Sequence, residues 1–470
     1  MKKYTLGMIG LGTMGRNLLL NMADHGFDVT GYDKDAKMLK KLEEDGKKHN
    51  LKGFAELEDF IQSLELPRRV MLLVPAGPIV DSVIAELQPL LEKGDMIIDS
   101  GNSHFTDTSR RAEELLKTGI HFFGMGISGG EEGARFGPSM MPGGDQAAYS
   151  AMKEMLEAIS AKVNDEPCVT YIGPGASGHF VKMVHNGIEY AMMELLAESY
   201  AIMKTGLGYS NEEIQATFAK WNAGRMQSFL MEVTADVFKF KDEKTGSLLI
   251  DLIKDEAKSK GTGKWTSQVS MELQLPIPTI NEAVSTRDLS KFKSLRTELA
   301  TAFSHETEAI ADKAQFEADL ENAMYFSMIV AYAQGLHLLT QASESYDYQL
   351  KLDEIAKIWR GGCIIRAELL QDIYTAYKTK PELNHLFSDK NIQEKIKGTL
   401  PGVRNVVGTA VKNGISVTAF ASALTYFDAL RTEKSPLNLT QAQRDFFGAH
   451  TFERTDEEGI FHATWNPIKS

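Results

Sequence analysis

Short apolar runs alternate with helical patterns in the N-terminal part of the chain. The apolar runs cover residues 4–9, 28–32, 69–74 and 95–99. Each run has the length of a strand in a buried sheet, and helical patterns such as that at 16–25 lie between the runs. Strands that alternate with helices form parallel sheets covered by helices on both faces. The pattern therefore predicts an α/β domain with a doubly wound parallel sheet over residues 1–177.

After this domain the pattern changes to almost continuous helix up to about residue 432. Glycine and proline in the segment 173–178 interrupt the alternation of strands and helices and mark the junction. The turn at Ser435-Pro436 marks a second boundary. We therefore expect a large all-α domain over 178–434 and a C-terminal tail over 435–470.

The helical part contains a decayed internal duplication. A stretch that starts at Asn186 recurs 136 residues later with its apolar positions kept. At this spacing Lys182 corresponds to Ala318, and Glu189 corresponds to Tyr325. The second copy therefore keeps the apolar frame without the amine and the carboxylate, and we expect it to be structural.

The helical segment 178–203 is apolar around most of its circumference but carries one polar stripe. Lys182, Asn186 and Glu189 are spaced four and then three residues apart, so they share one face, with His185 beside them. A solvated surface stripe is the alternative, but the apolar residues leave little of the circumference for water. We expect a polar cleft, in which burial lowers the pKa of Lys182 and raises that of Glu189. Such a pair suits base and acid chemistry near neutral pH.

A glycine motif joins the first predicted strand to the first predicted helix. Its residues are Gly10, Leu11, Gly12, Thr13, Met14 and Gly15. Between a strand and a helix, the first glycine allows the tight turn, the second lets the backbone approach a pyrophosphate, and the third allows close packing. The helix N-terminus favours the phosphate charge. A turn without a ligand is the alternative, but this context predicts a Rossmann-like site for a dinucleotide.

The end of the second strand bears on the choice of dinucleotide. Asp33 lies about 20 residues past the motif, where a carboxylate accepts hydrogen bonds from the adenosine ribose and repels a 2′-phosphate. Lys34 offers a positive charge that attracts such a phosphate, whereas Asp35 adds negative charge. We predict that NAD is preferred, or at least used well, with NADP as the alternative if Lys34 and a further nearby cation dominate.

Two further segments follow predicted strands at the edge where ligands of such sheets bind. The turn at Val74, Pro75 and Ala76 ends one strand, and Asn102 follows another. Asn102 also suits a simple turn, but its position at the end of a strand favours a ligand contact.

Glycines are dense between residues 124 and 144. Within this segment Ser128, Gly129 and Gly130 offer a hydroxyl and successive backbone N–H groups, which suit an anion such as a carboxylate. A flexible loop is the alternative interpretation.

Charge and cysteine content narrow the classes of partner. The 51 Lys and Arg residues against 64 Asp and Glu leave a net charge of −13, which argues against nucleic acid and against a membrane surface as partners. The two cysteines, Cys168 and Cys363, lack the spacing of a metal site or a disulfide framework. We expect a cytoplasmic protein without a metal, in which local clusters of cations bind any anionic ligand.

Two such clusters are present. Lys260 and Thr262 lie in a glycine-containing basic segment with Arg287 downstream, although the spacing is not that of a Walker motif. Arg444 and His450 lie in the tail among phenylalanines that need an apolar partner. A neighbouring subunit is a natural candidate for that partner.

The ordered set of these motifs resembles the long-form, decarboxylating 6-phosphogluconate dehydrogenases of the β-hydroxyacid dehydrogenase superfamily over nearly the whole chain. The motifs are 10–15, 99–102, 127–130, 178–190, 260–265 and 441–450. The resemblance implies oxidation of 6-phosphogluconate at C3, loss of CO₂ and formation of ribulose 5-phosphate with NAD or NADP and no metal. It also implies a homodimer whose tails enter the partner subunit.

The resemblance implies a role for each matching residue. Lys182 corresponds to the general base and Glu189 to the acid that protonates C1. The positions that match substrate contacts are Asn102, Ser128, Gly129, Gly130, His185, Asn186, Tyr190, Lys260, Thr262 and Arg287, with Arg444 and His450 taken from the partner. The positions that match cofactor contacts are 10–15, 33–35, 74–76 and Asn102.

This chain departs from the family pattern at the cofactor. Asp33-Lys34-Asp35 stands where NADP-using members typically carry Asn-Arg-Thr, and Pro75 replaces a lysine. Two other functions remain as alternatives: a related β-hydroxyacid dehydrogenase acting on another phosphorylated sugar acid, and a non-catalytic dinucleotide-binding protein.

Overall fold

A seven-stranded sheet forms the N-terminal part of the computed structural model, which describes residues 3–49, 51–304 and 307–465. The strands are β1 (Leu6–Ile9), β2 (Val29–Tyr32), β3 (Gly53–Phe54), β4 (Arg69–Leu72), β5 (Met96–Asp99), β6 (His121–Ser128) and β7 (Ser139–Gly144). Their order is β3-β2-β1-β4-β5-β6-β7. All four predicted strands are present, each shortened by one or two residues at an end, and the doubly wound α/β fold is confirmed.

The last strand differs from the expected parallel arrangement. Strand β7 pairs antiparallel with β6, with Ser128 opposite Ser139, whereas the other neighbouring strands are parallel. The connection between them covers only residues 129–138, and a parallel crossover needs about a dozen residues or more. A short pair, β8 (Lys162–Val163) and β9 (Glu166–Pro167), follows separately.

Helices cover both faces of the sheet. They are α1 (Thr13–Asp24), α2 (Ala36–Asp45), α3 (Leu57–Gln62), α4 (Pro78–Leu87), α5 (Phe105–Leu116), α6 (Gly130–Phe136) and α7 (Gln146–Ile159). One apolar cluster packs α1 and α7 against the sheet, and a second packs α3 and α4 against the opposite face. The carboxyl ends of the parallel strands therefore stay open to a ligand.

The rest of the chain is helical, as predicted. The helices are α8 (Ser177–Ala201), α9 (Asn211–Asn222), α10 (Phe229–Val237), α11 (Thr262–Glu272), α12 (Pro278–Ser290), α13 (Lys293–Ala302), α14 (Lys313–Ser345), α15 (Leu352–Trp359), α16 (Leu369–Thr379), α17 (Lys390–Lys412), α18 (Thr418–Leu430) and α19 (Leu437–Gly448). A π-helical turn at Ile202–Gly206 continues α8. Among the described residues no helix is long and apolar enough to cross a membrane.

The order of helices agrees with the predicted duplication. The long helix α8 is followed by the two shorter helices α9 and α10, and the long helix α14 by α15 and α16. The two long helices pack against each other. A Cβ at Gly335 of α14 would lie only 2.5 Å from the Ile188 side chain of α8, so glycine permits their close contact.

The chain divides into two compact units, Met1–Ser422 and Ala423–Ser470. The predicted domain boundaries at residues 177 and 434 stay predictions. Within the second unit, the buried Asp445 accepts hydrogen bonds from the Thr451 backbone N–H at 2.9 Å and from the Trp465 indole at 2.7 Å. These bonds attach the segment after α19 to that helix.

We predict that Gly335→Ala destabilises the protein by about 1–3 kcal/mol, because the added methyl group overpacks the contact between α14 and α8. The midpoint of urea unfolding measures the effect. Gly408→Ala is the control, since a Cβ at this position of α17 meets no atom within 4 Å and is expected to be neutral or stabilising. An unchanged midpoint for Gly335→Ala would contradict this packing.

Candidate active site

A cleft of about 960 Å³ lies where the carboxyl ends of β4 and β5 and the start of α1 face α8, α11 and α12. The predicted site residues that line it are Gly12, Thr13, Met14, Gly15, Val74, Pro75, Ala76, Asn102, Asn186, Glu189, Tyr190, Lys260, Thr262 and Arg287. Residues that were predicted from separate motifs thus share one cavity.

Helix α8 reaches the cleft because glycines let it lie directly on the sheet. A Cβ at Gly126 of β6 would be 2.3 Å from Cβ of Lys182, and one at Gly178 would be 2.3 Å from the Met141 carbonyl oxygen. Neither contact leaves room for a side chain. The helix is therefore held against β6 and β7, with Lys182 at the level of the strand ends.

Lys182 is buried and points along the polar stripe of α8. Its Nζ lies 2.5 Å from Oδ1 of Asn186 and 3.4 Å from Nδ1 of His185. Burial lowers the pKa of the Lys182 ammonium, and the nearby Glu189 carboxylate opposes this shift only in part. Lys182 is therefore prepared to act as a neutral amine, with Asn186 fixing its direction.

Glu189 lies further along the same stripe and lines the cleft. Its side chain is 22% exposed, and its Oε2 lies 3.9 Å from Nδ1 of His185. Burial raises the pKa of the Glu189 carboxyl, although Lys182 and Arg287 pull it down. Burial also holds the pKa of His185 well below its usual range, with the nearby Lys182 charge adding to the effect. The Lys182 amine and the Glu189 carboxyl thus lie close to the His185 imidazole, and burial disfavours the charged form of each group.

The far end of the cleft is suited to an anion. Arg287 of α12 places its guanidinium 3.7 Å from the centre of the Tyr190 ring. Lys260 and Thr262 reach the same cleft at the start of α11, as does Lys258. A Cβ at Gly263 would be 2.5 Å from the Tyr190 ring, so α11 packs closely on α8. Three cations and a helix N-terminus therefore face one end of the cavity.

The glycine loop has the features that a dinucleotide pyrophosphate needs. Gly10 adopts a φ of +93°, and a Cβ at Gly15 would lie 1.9 Å from the Gly10 carbonyl oxygen. A Cβ at Gly12 would meet no heavy atom within 4 Å, so the space beside the start of α1 is open. The residues present fit the cofactor that the sequence predicts.

An adjoining cavity of about 410 Å³ suits the adenosine half of such a cofactor. It is lined by Asp33 and Lys34 and by apolar residues that include Leu57, Ile79 and Val83. The Asp33 carboxylate accepts hydrogen bonds from the backbone N–H groups of Leu11, at 2.8 Å, and Asp35, at 2.9 Å.

The other two charged residues of this turn have protein partners. Lys34 donates a hydrogen bond to Glu86 over 2.9 Å. The Asp35 side chain caps α2, because it accepts from the Lys37 backbone N–H at 2.9 Å. Asp35 does not line the cavity, and its contact with the cofactor stays a prediction.

The predicted anion site at 128–130 follows directly on β6. The Ser128 hydroxyl accepts a hydrogen bond from the Ile364 backbone N–H at 3.3 Å, and Gly129 precedes α6 with a φ of +123°. A Cβ at Gly129 would lie 2.6 Å from the Gly362 carbonyl oxygen. Ser128, Gly129 and Gly130 do not line the cleft, and their contact with substrate stays a prediction.

Arg444 and His450 belong to the second unit. Arg444 lies in α19 and donates to Gln441 over 3.0 Å, and the His450 ring meets the Phe447 ring edge to face. Their predicted role in binding a phosphate in the partner subunit stays a prediction.

Sequence reasoning did not identify the buried ion pairs between α5, α4 and the segments that follow β4 and β5. The buried Arg111 of α5 binds Asp81 of α4 through Nε at 2.8 Å and Nη2 at 3.0 Å, and donates to the Gly77 carbonyl oxygen at 3.0 Å. Its Nη1 lies 3.5 Å from the buried Asp99. Arg111 therefore connects the turns that follow β4 and β5. A lone arginine in an amphipathic helix gives no sequence signal of such a role.

Two aromatic residues of the cleft were also missed. The His104 and Trp265 rings meet edge to face with centroids 5.0 Å apart, and both line the cavity. Trp265 belongs to the basic motif and His104 follows Asn102 closely, so proximity to predicted residues was the available signal. Among the described residues, no group of three or more His, Cys, Asp or Glu side chains is placed to hold a metal ion.

Two family models match the chain in succession. The NAD binding domain of 6-phosphogluconate dehydrogenase matches residues 5–173, and the C-terminal domain of 6-phosphogluconate dehydrogenase matches residues 178–465.

Full-length relatives agree with these matches. The chain is 49% identical over 470 residues to the NADP(+)-dependent, decarboxylating 6-phosphogluconate dehydrogenase of Bacillus subtilis strain 168, with 99% of this chain and 100% of the relative covered. It is 46% identical over 469 residues to the decarboxylating enzyme of Escherichia coli K12, with the same coverage.

The fold also matches a solved structure. The 6-phosphogluconate dehydrogenase of Plasmodium falciparum, described in its apo form and in complexes with NADP+ and with 6-phosphogluconate, superposes with a TM-score of 0.95 at 45% identity. The match covers 98% of this chain and 100% of that one. Since relatives match both halves of the chain, and with them the glycine loop and the α8 stripe that form the cleft, this chain belongs to the 6-phosphogluconate dehydrogenase family.

Proposed function

We propose that this protein is an oxidoreductase that converts 6-phosphogluconate to ribulose 5-phosphate and CO₂ with reduction of a nicotinamide dinucleotide. The observation that carries the proposal is the buried Lys182, whose Nζ lies 2.5 Å from Oδ1 of Asn186, because Asn186 lines one cleft together with the glycine loop, Glu189 and the cationic residues. The nicotinamide supplies the acceptor for a hydride. The residues of this chain supply the proton transfers and bind the two charged ends of the sugar acid.

Lys182 acts first as a base. Its neutral amine accepts the proton of the C3 hydroxyl as C3 is oxidised, and the product of this step is a 3-keto acid. The resulting ammonium then returns a proton to the carbonyl oxygen as CO₂ leaves, which gives an enediol. The lowered pKa of Lys182 favours the neutral form that the first step requires.

Glu189 acts on the enediol. Glu189 donates its proton to the carbon that lost CO₂, which becomes C1 of ribulose 5-phosphate, while the neutral Lys182 accepts the proton of the neighbouring hydroxyl as the carbonyl forms. The raised pKa of Glu189 favours the protonated carboxyl that this step requires. Tyr190, Lys260 and Arg287 line the cleft, and we expect them to hold the phosphate and so to fix the reacting carbons of the sugar acid along α8. A related dehydrogenase for a substrate without phosphate has no use for these cations, so the cationic end favours a phosphorylated substrate.

We predict that Lys182→Met lowers kcat by at least about 10²–10⁴-fold, because the reaction loses its base. Reduced nicotinamide formed with 6-phosphogluconate and either cofactor is followed by absorbance. Lys220→Met is the control, since this exposed lysine pairs with Glu317 away from the cleft. If Lys182→Met turns over almost as fast as the wild type, Lys182 is not the base. If the wild type forms no reduced nicotinamide with either cofactor, the proposed function is refuted.

The dependence of kcat on pH tests whether Lys182 and Glu189 act as the base and the acid. The active form needs a neutral Lys182 and a protonated Glu189, so kcat falls on the acid side as the pair gains a proton and on the alkaline side as it loses one. We expect Glu189→Gln to be slower and to lose the alkaline decline, because glutamine does not titrate. An alkaline decline that persists in Glu189→Gln would assign it to another group.

We further propose that NAD is the preferred cofactor. Two backbone N–H groups hold Asp33, which lines the cavity proposed for adenosine, and a carboxylate at this position of the fold accepts a hydrogen bond from the ribose 2′-hydroxyl. A 2′-phosphate there would bring two anions close together, and Lys34 is already paired with Glu86. The Bacillus subtilis relative is named as NADP(+)-dependent, so NADP is the alternative.

We predict that the double variant Asp33→Asn with Lys34→Arg moves the ratio of kcat/KM toward NADP, since it removes the repelling carboxylate and supplies a planar cation that binds phosphate through two donors. Glu44→Gln is the matched control, because it removes a negative charge from α2 at a residue that pairs with Lys40 and does not line the cavity. A hundredfold preference of the wild-type enzyme for NADP would overturn the proposal.

We also propose a homodimer in which each tail completes the partner's site. Helix α13 has no buried residue among those described, and the apolar side chains within it (Leu295 and Leu299) and at its two ends (Phe292 and Phe303) are exposed. Exposed apolar side chains of this kind mark protein interfaces. In the second unit, Leu437, Leu439, Phe446 and Phe447 are also exposed on or near α19, which suits a tail that packs on another subunit.

The tail is tested by Arg444→Ala, which should raise the KM for 6-phosphogluconate by roughly tenfold or more through loss of a charged hydrogen bond to phosphate. Arg454→Ala is the control, because Arg454 lies in the same tail and pairs with Asp456. Mixed dimers of Arg444→Ala and Lys182→Met subunits should regain a low KM, since one site then combines an intact lysine with an intact tail from the partner. Mixed dimers that keep the high KM would contradict tail exchange.

A further inference from the structure

The ion pair between Lys34 and Glu86 lies at the cavity proposed for adenosine. Lys34 follows β2, Glu86 lies near the end of α4, and their charged atoms are 2.9 Å apart. Both residues line the cavity together with Asp33. The hydrogen bond to Glu86 raises the pKa of the Lys34 ammonium, so the lysine stays charged while it is paired.

We propose that Glu86 is a specificity-determining residue, which disfavours a 2′-phosphate by holding the Lys34 ammonium against α4. The proposal rests on the proposed function, because it concerns how the same cofactor site distinguishes NAD from NADP. Lys34 is the cation that the sequence places next to Asp33, and its partner lies 52 residues further along the chain. Glu86 thus controls whether this cation is free to meet a phosphate.

The balance of charge at the cavity supports this role. While Lys34 and Glu86 are paired, their charges cancel. The Asp33 carboxylate then gives this part of the cavity a net negative charge. Without Glu86, the free ammonium of Lys34 offsets the negative charge of Asp33. The Glu86 carboxylate, which would itself repel a 2′-phosphate, is also gone. The two side chains are 68% and 39% exposed, so water screens the interaction and the effect is modest, on the order of three- to tenfold.

The contact expected for the ribose does not depend on Glu86. Asp33 is oriented by the backbone N–H groups of Leu11 and Asp35, and neither contact involves α4. A change at Glu86 is therefore expected to act on the 2′-phosphate more than on the hydroxyl. An effect on NADP that exceeds the effect on NAD indicates a specificity role. A change that only disturbed the structure of α4 would affect both cofactors equally.

The test is a cycle of Glu86→Gln, Lys34→Met and the double variant, assayed for kcat/KM with NAD and with NADP at low ionic strength. We expect Glu86→Gln to move the ratio toward NADP by about three- to tenfold when Lys34 is present, and by clearly less in the Lys34→Met background. Glu44→Gln is the matched control, because Glu44 pairs with Lys40 on α2 and does not line the cavity.

An unchanged ratio in Glu86→Gln, or an equal shift in both backgrounds, would overturn the proposal. Binding of adenosine 2′,5′-bisphosphate relative to adenosine 5′-monophosphate, measured by calorimetry without substrate, gives a second readout. Glu86→Gln should strengthen the binding of adenosine 2′,5′-bisphosphate and leave that of adenosine 5′-monophosphate unchanged. Because this readout needs no turnover, failure of the proposed reaction and failure of the Glu86 proposal are distinguishable.

Discussion

The site depends on keeping one lysine out of water. Lys182 is buried where α8 crosses β6, and this crossing is possible because Gly126 leaves room for the Cβ of the lysine. Burial disfavours the ammonium, so the same packing that holds the helix also prepares the base. A larger residue at Gly126 would separate helix and strand and admit solvent, which would affect structure and chemistry together.

The cofactor side depends on a second set of buried charges. Arg111 satisfies Asp81 and the Gly77 carbonyl oxygen and lies beside Asp99, so the turns after β4 and β5 are held by one side chain. A buried cation is tolerated because carboxylates and a carbonyl surround it, and loss of such a partner leaves uncompensated charge. Arg111 also donates to the hydroxyl of Ser103, so the same side chain helps to hold the turn that carries Asn102.

Local patterns were sufficient to predict the parts of the site that lie on single elements. Helical spacing placed Lys182, Asn186 and Glu189 on one face, and the glycine motif identified the start of α1. Contacts between segments that are far apart in the sequence leave no local pattern from which they could be predicted. The partner of Lys34 lies on α4, the antiparallel direction of β7 follows from a short connection, and the role of Arg111 emerges only when three segments meet.

The predicted duplication accounts for the apolar side of α8. Helix α14 lacks the lysine and the glutamate at the corresponding positions, and it packs against α8 with Gly335 close to Ile188 and Val184. These residues lie on the side of α8 that needs an apolar neighbour, since the polar residues face the cleft. One copy of the predicted repeat therefore carries the acid and the base, and the other supplies an apolar neighbour to the opposite side of the same helix.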